Sequence, residues 1–186
     1  MLLFGHVGIT LGASAVLAGS VNLRREKIAW FVSLSKYLDI RFLLVGSLLP
    51  DIIDKPVGQY IFRDTFSNGR IFSHTLLFLI VISAFGFFLW KKQHQIWMLA
   101  LATGTLTHLL LDVIWETPST LLWPLLGFSF PKNDLEGWAQ GIFYAMVHEP
   151  TVYIPEIIGL AIVLWFAVGV IRHKKVGVFI KCGRVT

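Results

Sequence analysis

The sequence predicts an all-α, polytopic membrane helix bundle of about five spanning helices, built as a single integral membrane domain over residues 1–186. Three observations carry this. The chain is 55% hydrophobic and 15% charged, with mean hydropathy +0.71, which leaves too little polar surface to cover a soluble core. The apolar residues fall in blocks of roughly 20, enough to cross about 30 Å of hydrocarbon as helix. Basic residues sit in short runs between the blocks: Arg24, Arg25 and Lys27, then Lys91 and Lys92, then Arg172, Lys174 and Lys175. Such flanking runs orient membrane helices. The net charge of +5 therefore reads as membrane-flanking charge, and no nucleic-acid partner is expected. Cys182 is the sole cysteine, which excludes an internal disulfide and a cysteine metal cluster.

The first span covers residues 2–21 and lacks the positive leader of a signal peptide; its charges follow the apolar stretch instead. That order favours a retained helix with its N-terminus outside. The second span is short, 42–53, with Lys36, Asp39 and Arg41 at its start, and 28–37 reads as an interfacial lead-in. The third, fourth and fifth spans cover 71–90, 96–115 and 152–171. In the long loop 116–151, residues 136–147 read as a helix lying on the surface. This threading places every basic run and the C-terminus in the cytoplasm, as the positive-inside bias requires. Trp90 and Trp97 then mark one interface and Trp115 and Trp123 the other.

The same threading gathers potential ligands at the outer face. His6 starts span one, Asp51 and Asp54 end span two, and His74 opens span three. His108 and Asp112 end span four, and His148 and Glu149 precede span five. His108 and Asp112 leave one helical face a turn apart. Their imidazole and carboxylate donors suit zinc, manganese or iron, and ionisable residues in an apolar span point to function. The bland alternative is a buried His–Asp hydrogen bond. Asp51 and Asp54 follow Pro50, where ordinary capping is the competing reading. Arg70 is placed to pair with an aspartate or to grip a phosphate bidentately; a snorkelling arginine is its alternative. His94 and His173 read as interfacial, and Gly5, Gly8, Gly12 and Gly19 as sites of close helix packing. The sequence contains no nucleotide loop, serine nucleophile elbow or zinc-finger spacing.

Gly5-His6-Val7-Gly8, Leu49-Pro50-Asp51, Arg70-Ile71-Phe72-Ser73-His74-Thr75, Thr107-His108-Leu109-Leu110-Leu111-Asp112 and Trp123-Pro124 occur in this order. Together they resemble the YdjM-type family of membrane-bound metal-dependent hydrolases over the first two-thirds of the chain. The ligand pattern is also similar to that of the zinc-dependent phospholipase C family, matched by His6, Asp51 or Asp54, His74, His108 and Asp112. There are departures: two isoleucines separate Asp51 from Asp54, Lys55 follows, and Gly69 stands where a histidine is common. His148 and Glu149 are adjacent and cannot share a helical face. The resemblance implies one or two divalent metal ions, zinc first, with manganese or iron as alternatives. It implies a metal-activated water attacking an amphiphilic substrate, a phosphoester-bearing membrane lipid. His74, His108, Asp112 and Asp51 would be ligands, with His6 completing a second position. Asp54 or Glu149 would be the general base, and Arg70 would hold the phosphate. The rival expectation is a non-catalytic transporter moving metal ions or protons through the same cluster.

Overall fold

A computed structural model describes residues 2–22, 30–133 and 138–185. The basic run Arg24, Arg25 and Lys27 lies outside those residues, as do the first two positions of the surface helix expected over 136–147. All regular structure among the described residues is helical. Helices α1 (Leu3–Asn22), α6 (Leu76–Gln93) and α10 (Pro150–Arg172) are long and apolar enough to cross a membrane. Helix α7 (Trp97–Leu111) has 15 residues, about 22 Å of helix, and stops short of a full crossing. A short helix α2 (Trp30–Tyr37) occupies the expected lead-in, α9 (Trp138–His148) the surface helix of the long loop, and the four-residue helices α5 (Arg63–Phe66) and α8 (Pro118–Leu121) lie in the connections.

The second crossing is not one helix. It divides into α3 (Ile40–Gly46) and α4 (Leu49–Lys55), and α4 runs on as a π-helical turn over Pro56–Ile61. Pro50 is the local cause, because it has no N–H to return to the Gly46 carbonyl. The freed acceptors turn to α7 instead. The Gly46 carbonyl accepts from Thr105 Oγ1 at 3.3 Å, and the Ser47 carbonyl accepts from His108 Nδ1 at 2.7 Å. Irregular backbone at membrane depth persists where protein groups satisfy it in this way.

Small residues set how closely the helices approach. A Cβ on Gly104 would fall on the Leu43 carbonyl, and one on Gly46 on the Leu101 carbonyl, so α3 and α7 touch backbone to backbone. Helices α1 and α10 do the same, since a Cβ on Gly8 would fall on the Gly159 carbonyl. Glu156 of α10 tightens this contact. Its carboxylate accepts from the N–H groups of Leu2, Phe4 and Gly5 at 2.7, 2.9 and 3.0 Å. These are donors that the start of α1 cannot satisfy within its own helix.

At the opposite end, Asp39 caps α3 by accepting the Arg41 N–H at 3.0 Å. The Arg41 guanidinium donates to the Ile180 carbonyl at 2.6 Å, holding α11 (Val176–Cys182) against the bundle. Leu11, Leu34, Ile40, Leu43, Phe166 and Val170 pack the apolar core between these ends. Helices α1, α6 and α10 therefore all begin at the end that carries His6, Asp51 and His74. The broken pair α3–α4 returns the chain to that end.

Gly104→Val should cost about 3 kcal/mol or more through backbone displacement, on the order of 10 °C in Tm at this length. Glu156→Ala should cost about 1–3 kcal/mol by orphaning the N–H groups of α1. Gly141→Ala, where a Cβ meets open space, is the control. Thermal unfolding of the detergent-solubilised protein measures all three, and a Gly104→Val protein as stable as the control would refute the packing argument.

Candidate metal centre

Four elements deliver the polar side chains to one end of the bundle. His6 lies in the first turns of α1, Asp51 and Asp54 on α4, His108 in the last turn of α7, and Asp112 at its C-cap. His74 does not open the third span as the sequence suggested. It ends a separate 3₁₀ turn, Phe72–His74, and the long helix starts only after Thr75, whose Oγ1 accepts the Phe78 N–H at 3.0 Å. Aromatic rings seat this turn: Phe72 packs edge-on against Phe66, Trp123 and Phe130 at centroid distances of 5.6, 5.3 and 5.1 Å. The loop after α7 is thereby pinned over the turn that carries His74.

Asp54 organises that turn from within. Fully buried, its carboxylate accepts from the N–H groups of Ile71, Ser73 and His74 at 2.8, 3.0 and 3.2 Å. It also contacts His74 Nδ1 at 2.7 Å. An ionised carboxylate only accepts, so His74 carries its proton on Nδ1 and turns an Nε2 lone pair outward. His108 is fixed by the same logic. The Ser47 carbonyl can only accept, so the His108 Nδ1 at 2.7 Å is the donor and its Nε2 is bare.

These two bare nitrogens face each other at 3.2 Å. With both rings neutral, two lone pairs aim at one point and repel; a metal ion between them, or a proton shared by them, relieves the contact. Carboxylate oxygens surround the same point. Asp51 Oδ1 lies 3.7 Å from His74 Nε2 and 3.9 Å from His108 Nε2. Asp112 Oδ2 lies 3.8 and 4.0 Å from the same atoms. Zinc bonds of about 2.0–2.2 Å in a tetrahedron separate ligands by about 3.3–3.6 Å, close to this spacing. A donor set of two neutral imidazoles and two carboxylates fits a divalent ion such as zinc, manganese or iron. The ion-capable sets are His74, His108 and Asp112, and His6, Asp51 and His108. They share His108, whose one bare nitrogen can serve only one ion.

Fixed cations engage both carboxylates, on Asp51 at the outer oxygen and on Asp112 at the Oδ2 that also faces the imidazoles. Lys55 Nζ donates to Asp51 Oδ2 at 2.6 Å, and an Arg70 guanidinium nitrogen lies 2.8 Å from Asp112 Oδ2. His6 is fully buried, stacks on His108 with ring centroids 4.1 Å apart, and brings Nε2 within 3.2 Å of Asp112 Oδ1. Its Nδ1 is buried with no hydrogen-bond partner among the described residues, an unusual state for a polar atom.

Two openings reach Asp51. One is a recess of about 240 Å³ walled by Asp51, Lys55, Gln59, Arg70, Asp112 and Asn133, wide enough for several water molecules. The other is an apolar groove of about 330 Å³ between Leu2, Leu3, Leu48 and Ile52. Leu2, Asp51 and Lys55 border both.

Of the residues expected at the site, His6, Asp51, Asp54, Arg70, His74, His108 and Asp112 come together. The two expected bases do not stand where that role needs them. Asp54 lies behind His74, and four N–H groups engage its carboxylate. Glu149 is an exposed N-cap of α10 with no contact to the cluster among the described residues. His148 stacks on Tyr144 on α9, and His94 and His173 end α6 and α10 at the far end. Sequence reasoning missed Ser47, Lys55 and Glu156. Lys55 had a signal, its spacing of one turn from Asp51; a backbone carbonyl and a contact across the whole chain had none.

Asp54→Asn should keep the fold but weaken metal binding by about 10–100-fold, the usual cost of losing a partner behind a ligating histidine. Titration of the purified variant with zinc measures this, and wild-type affinity would refute the orienting geometry.

The family model described as YdjM inner membrane protein matches residues 1–176. No curated protein and no solved structure is significantly similar to the chain. With nearly the whole sequence matched and its paired histidines and aspartates gathered at one end of a helical bundle, the chain belongs to the YdjM inner membrane protein family.

Proposed function

We propose that this protein is a membrane-bound, metal-dependent hydrolase acting on an amphiphilic phosphoester at the membrane–water interface. The observation that carries the reading is the pair of bare imidazole nitrogens, 3.2 Å apart, with two carboxylates around them at the floor of a recess. His74, His108, Asp51 and Asp112 would hold the ion. When bound, a divalent metal supplies Lewis acidity, making water nucleophilic near neutral pH and stabilising phosphoryl charge.

The chain's own residues have distinct tasks. Asp54 and the Ser47 carbonyl fix the histidine tautomers from behind. Arg70, on the rim beside Asp112, would receive the phosphoryl oxygens, since a guanidinium pairs with phosphate bidentately. Lys55 would neutralise Asp51 and add positive charge at the mouth. His6, beside Asp112 Oδ1, would accept the proton released as water attacks. It would alternatively ligate a second ion together with Asp51. This replaces Asp54 and Glu149 as bases with a group that lies inside the cluster. The apolar groove beside Asp51 supports an amphiphile, because a lipid tail can stay on the bilayer side while its headgroup enters the recess.

We place the site at the extracytoplasmic face. Lys91, Lys92, Arg172, Lys174 and Lys175 all lie at the opposite end of the bundle, where the positive-inside bias puts the cytoplasm.

Elemental analysis of detergent-purified protein should find a stoichiometric divalent metal that is lost in folded His108→Ala and Asp112→Ala variants. A wild type that stays metal-free after reconstitution with zinc, manganese and iron would end the hydrolase reading. With a turned-over phosphoester lipid in hand, Arg70→Ala should lower kcat/KM by about 10–100-fold, the worth of a charged hydrogen bond. Unchanged kinetics would remove Arg70 from the phosphate.

A further inference from the structure

We infer that the recess above Asp51 and Asp112 selects an anionic headgroup that bears hydroxyls, and rejects quaternary ammonium headgroups. The inference rests on the reading of this site as one for amphiphiles and names the class it takes.

Charge favours an anion here. Asp51 and Asp112 are already balanced one to one by Lys55 and Arg70. A divalent ion added among the ligands leaves two positive charges in excess at the recess, or one when Asp54 is counted. In a partly desolvated pocket this favours an anion and opposes a cation.

The wall of the recess offers amide groups to hydroxyls. Gln59 is half-buried on it, and its amide has no hydrogen-bond partner among the described residues. Gly69 leaves room for that amide, since a Cβ there would lie 2.5 Å from Gln59 Nε2. Asn133 is fixed beside it, its Nδ2 donating to Asn68 Oδ1 at 3.3 Å and its backbone N–H to the Ser67 carbonyl at 2.9 Å. An amide offers both a donor and an acceptor, which suits the hydroxyls of a glycerol or sugar group. Among the described residues lining the recess none is aromatic, whereas choline-type cations are held over aromatic faces. The tail is directed by Leu2, Leu3, Leu48 and Ile52, which border the same Asp51.

The test is native mass spectrometry of the full-length, zinc-loaded protein in detergent, with equal concentrations of dioctanoyl phosphatidylglycerol and dioctanoyl phosphatidylcholine. Phosphatidylglycerol should bind about tenfold more tightly, the equivalent of one charged hydrogen bond. Gln59→Leu should erode that preference by about fivefold, with zinc content unchanged, as loss of one neutral hydrogen bond predicts. Equal binding of the two lipids, or a preference unaltered in Gln59→Leu, would overturn the inference. Cleavage products are read in the same spectra. A strong preference without any cleavage would leave the headgroup site standing and count against the hydrolase reading. Cleavage without preference would do the reverse.

Discussion

The 3.2 Å approach of His74 Nε2 and His108 Nε2 is the constraint around which this molecule is arranged. Left alone, two lone pairs facing one another in a low-dielectric interior are unfavourable, as is any buried polar atom without a partner. The surrounding structure nevertheless enforces the arrangement from both sides. Asp54 holds one ring by Nδ1 and the Ser47 carbonyl holds the other. Each of these partners is itself immobilised, Asp54 by three backbone N–H groups and Ser47 by the break in the second crossing. A site merely tolerating two histidines would let one ring rotate and donate to the other. Here rotation would break a hydrogen bond behind the ring. A metal ion, or a proton shared by the two nitrogens, removes the conflict without moving either ring.

The break between α3 and α4 follows from this need. Pro50 frees the Gly46 carbonyl, the Ser47 carbonyl lies in the break between the two helices, and Gly46 and Gly104 bring the backbones close enough for α7 to use both. The backbone just past Asp112 also bends sharply, with Val113 at φ 52. A β-branched residue holds that conformation at a cost of order 1–3 kcal/mol. The bend ends α7 at its C-cap carboxylate and turns the chain toward the aromatic clamp over Phe72. Irregular backbone is thus found on the elements that carry ligands: the break between α3 and α4, the π-helical turn after α4, the 3₁₀ turn of His74 and the bend at Val113.

Much of this was legible from residue spacing. His108 and Asp112 share a helical face, and the alternation of apolar blocks with basic runs brought His6, Asp51, His74 and His108 to one end. What spacing could not decide was the division of labour between Asp51 and Asp54. Both lie on one short helix, and only the fold of 70–75 around Asp54 shows that Asp54 backs His74 at Nδ1 while Asp51 faces the two Nε2 atoms. Ser47 was invisible because its contribution is a carbonyl, present in every residue. Glu156 was invisible because its partners are backbone donors at the other end of the chain. The short second span was visible as short, and Pro50 as a break; the interhelical bonds that make the break stable depend on α7.

Transport through the same cluster would require polar groups able to relay an ion or proton across the bundle. Below the histidines the described polar contacts are neutral hydroxyls. Thr10 Oγ1 and Thr107 Oγ1 lie 3.0 Å apart, Thr107 donates to the Gly104 carbonyl at 2.7 Å, and Thr105 to the Leu101 carbonyl at 3.1 Å. These bonds join neutral hydroxyls to one another and to nearby backbone carbonyls, and beyond them lies an apolar core of Leu11, Leu34, Ile40 and Leu43. The next ionisable pair described, Asp39 and Arg41, is closed on itself and on the Ile180 carbonyl. Among the described residues the two openings that reach the cluster lie at one end, where the recess and the apolar groove meet at Asp51. That one-sided access fits the proposed chemistry on an amphiphile, which would arrive and leave by the same face, better than it fits transport.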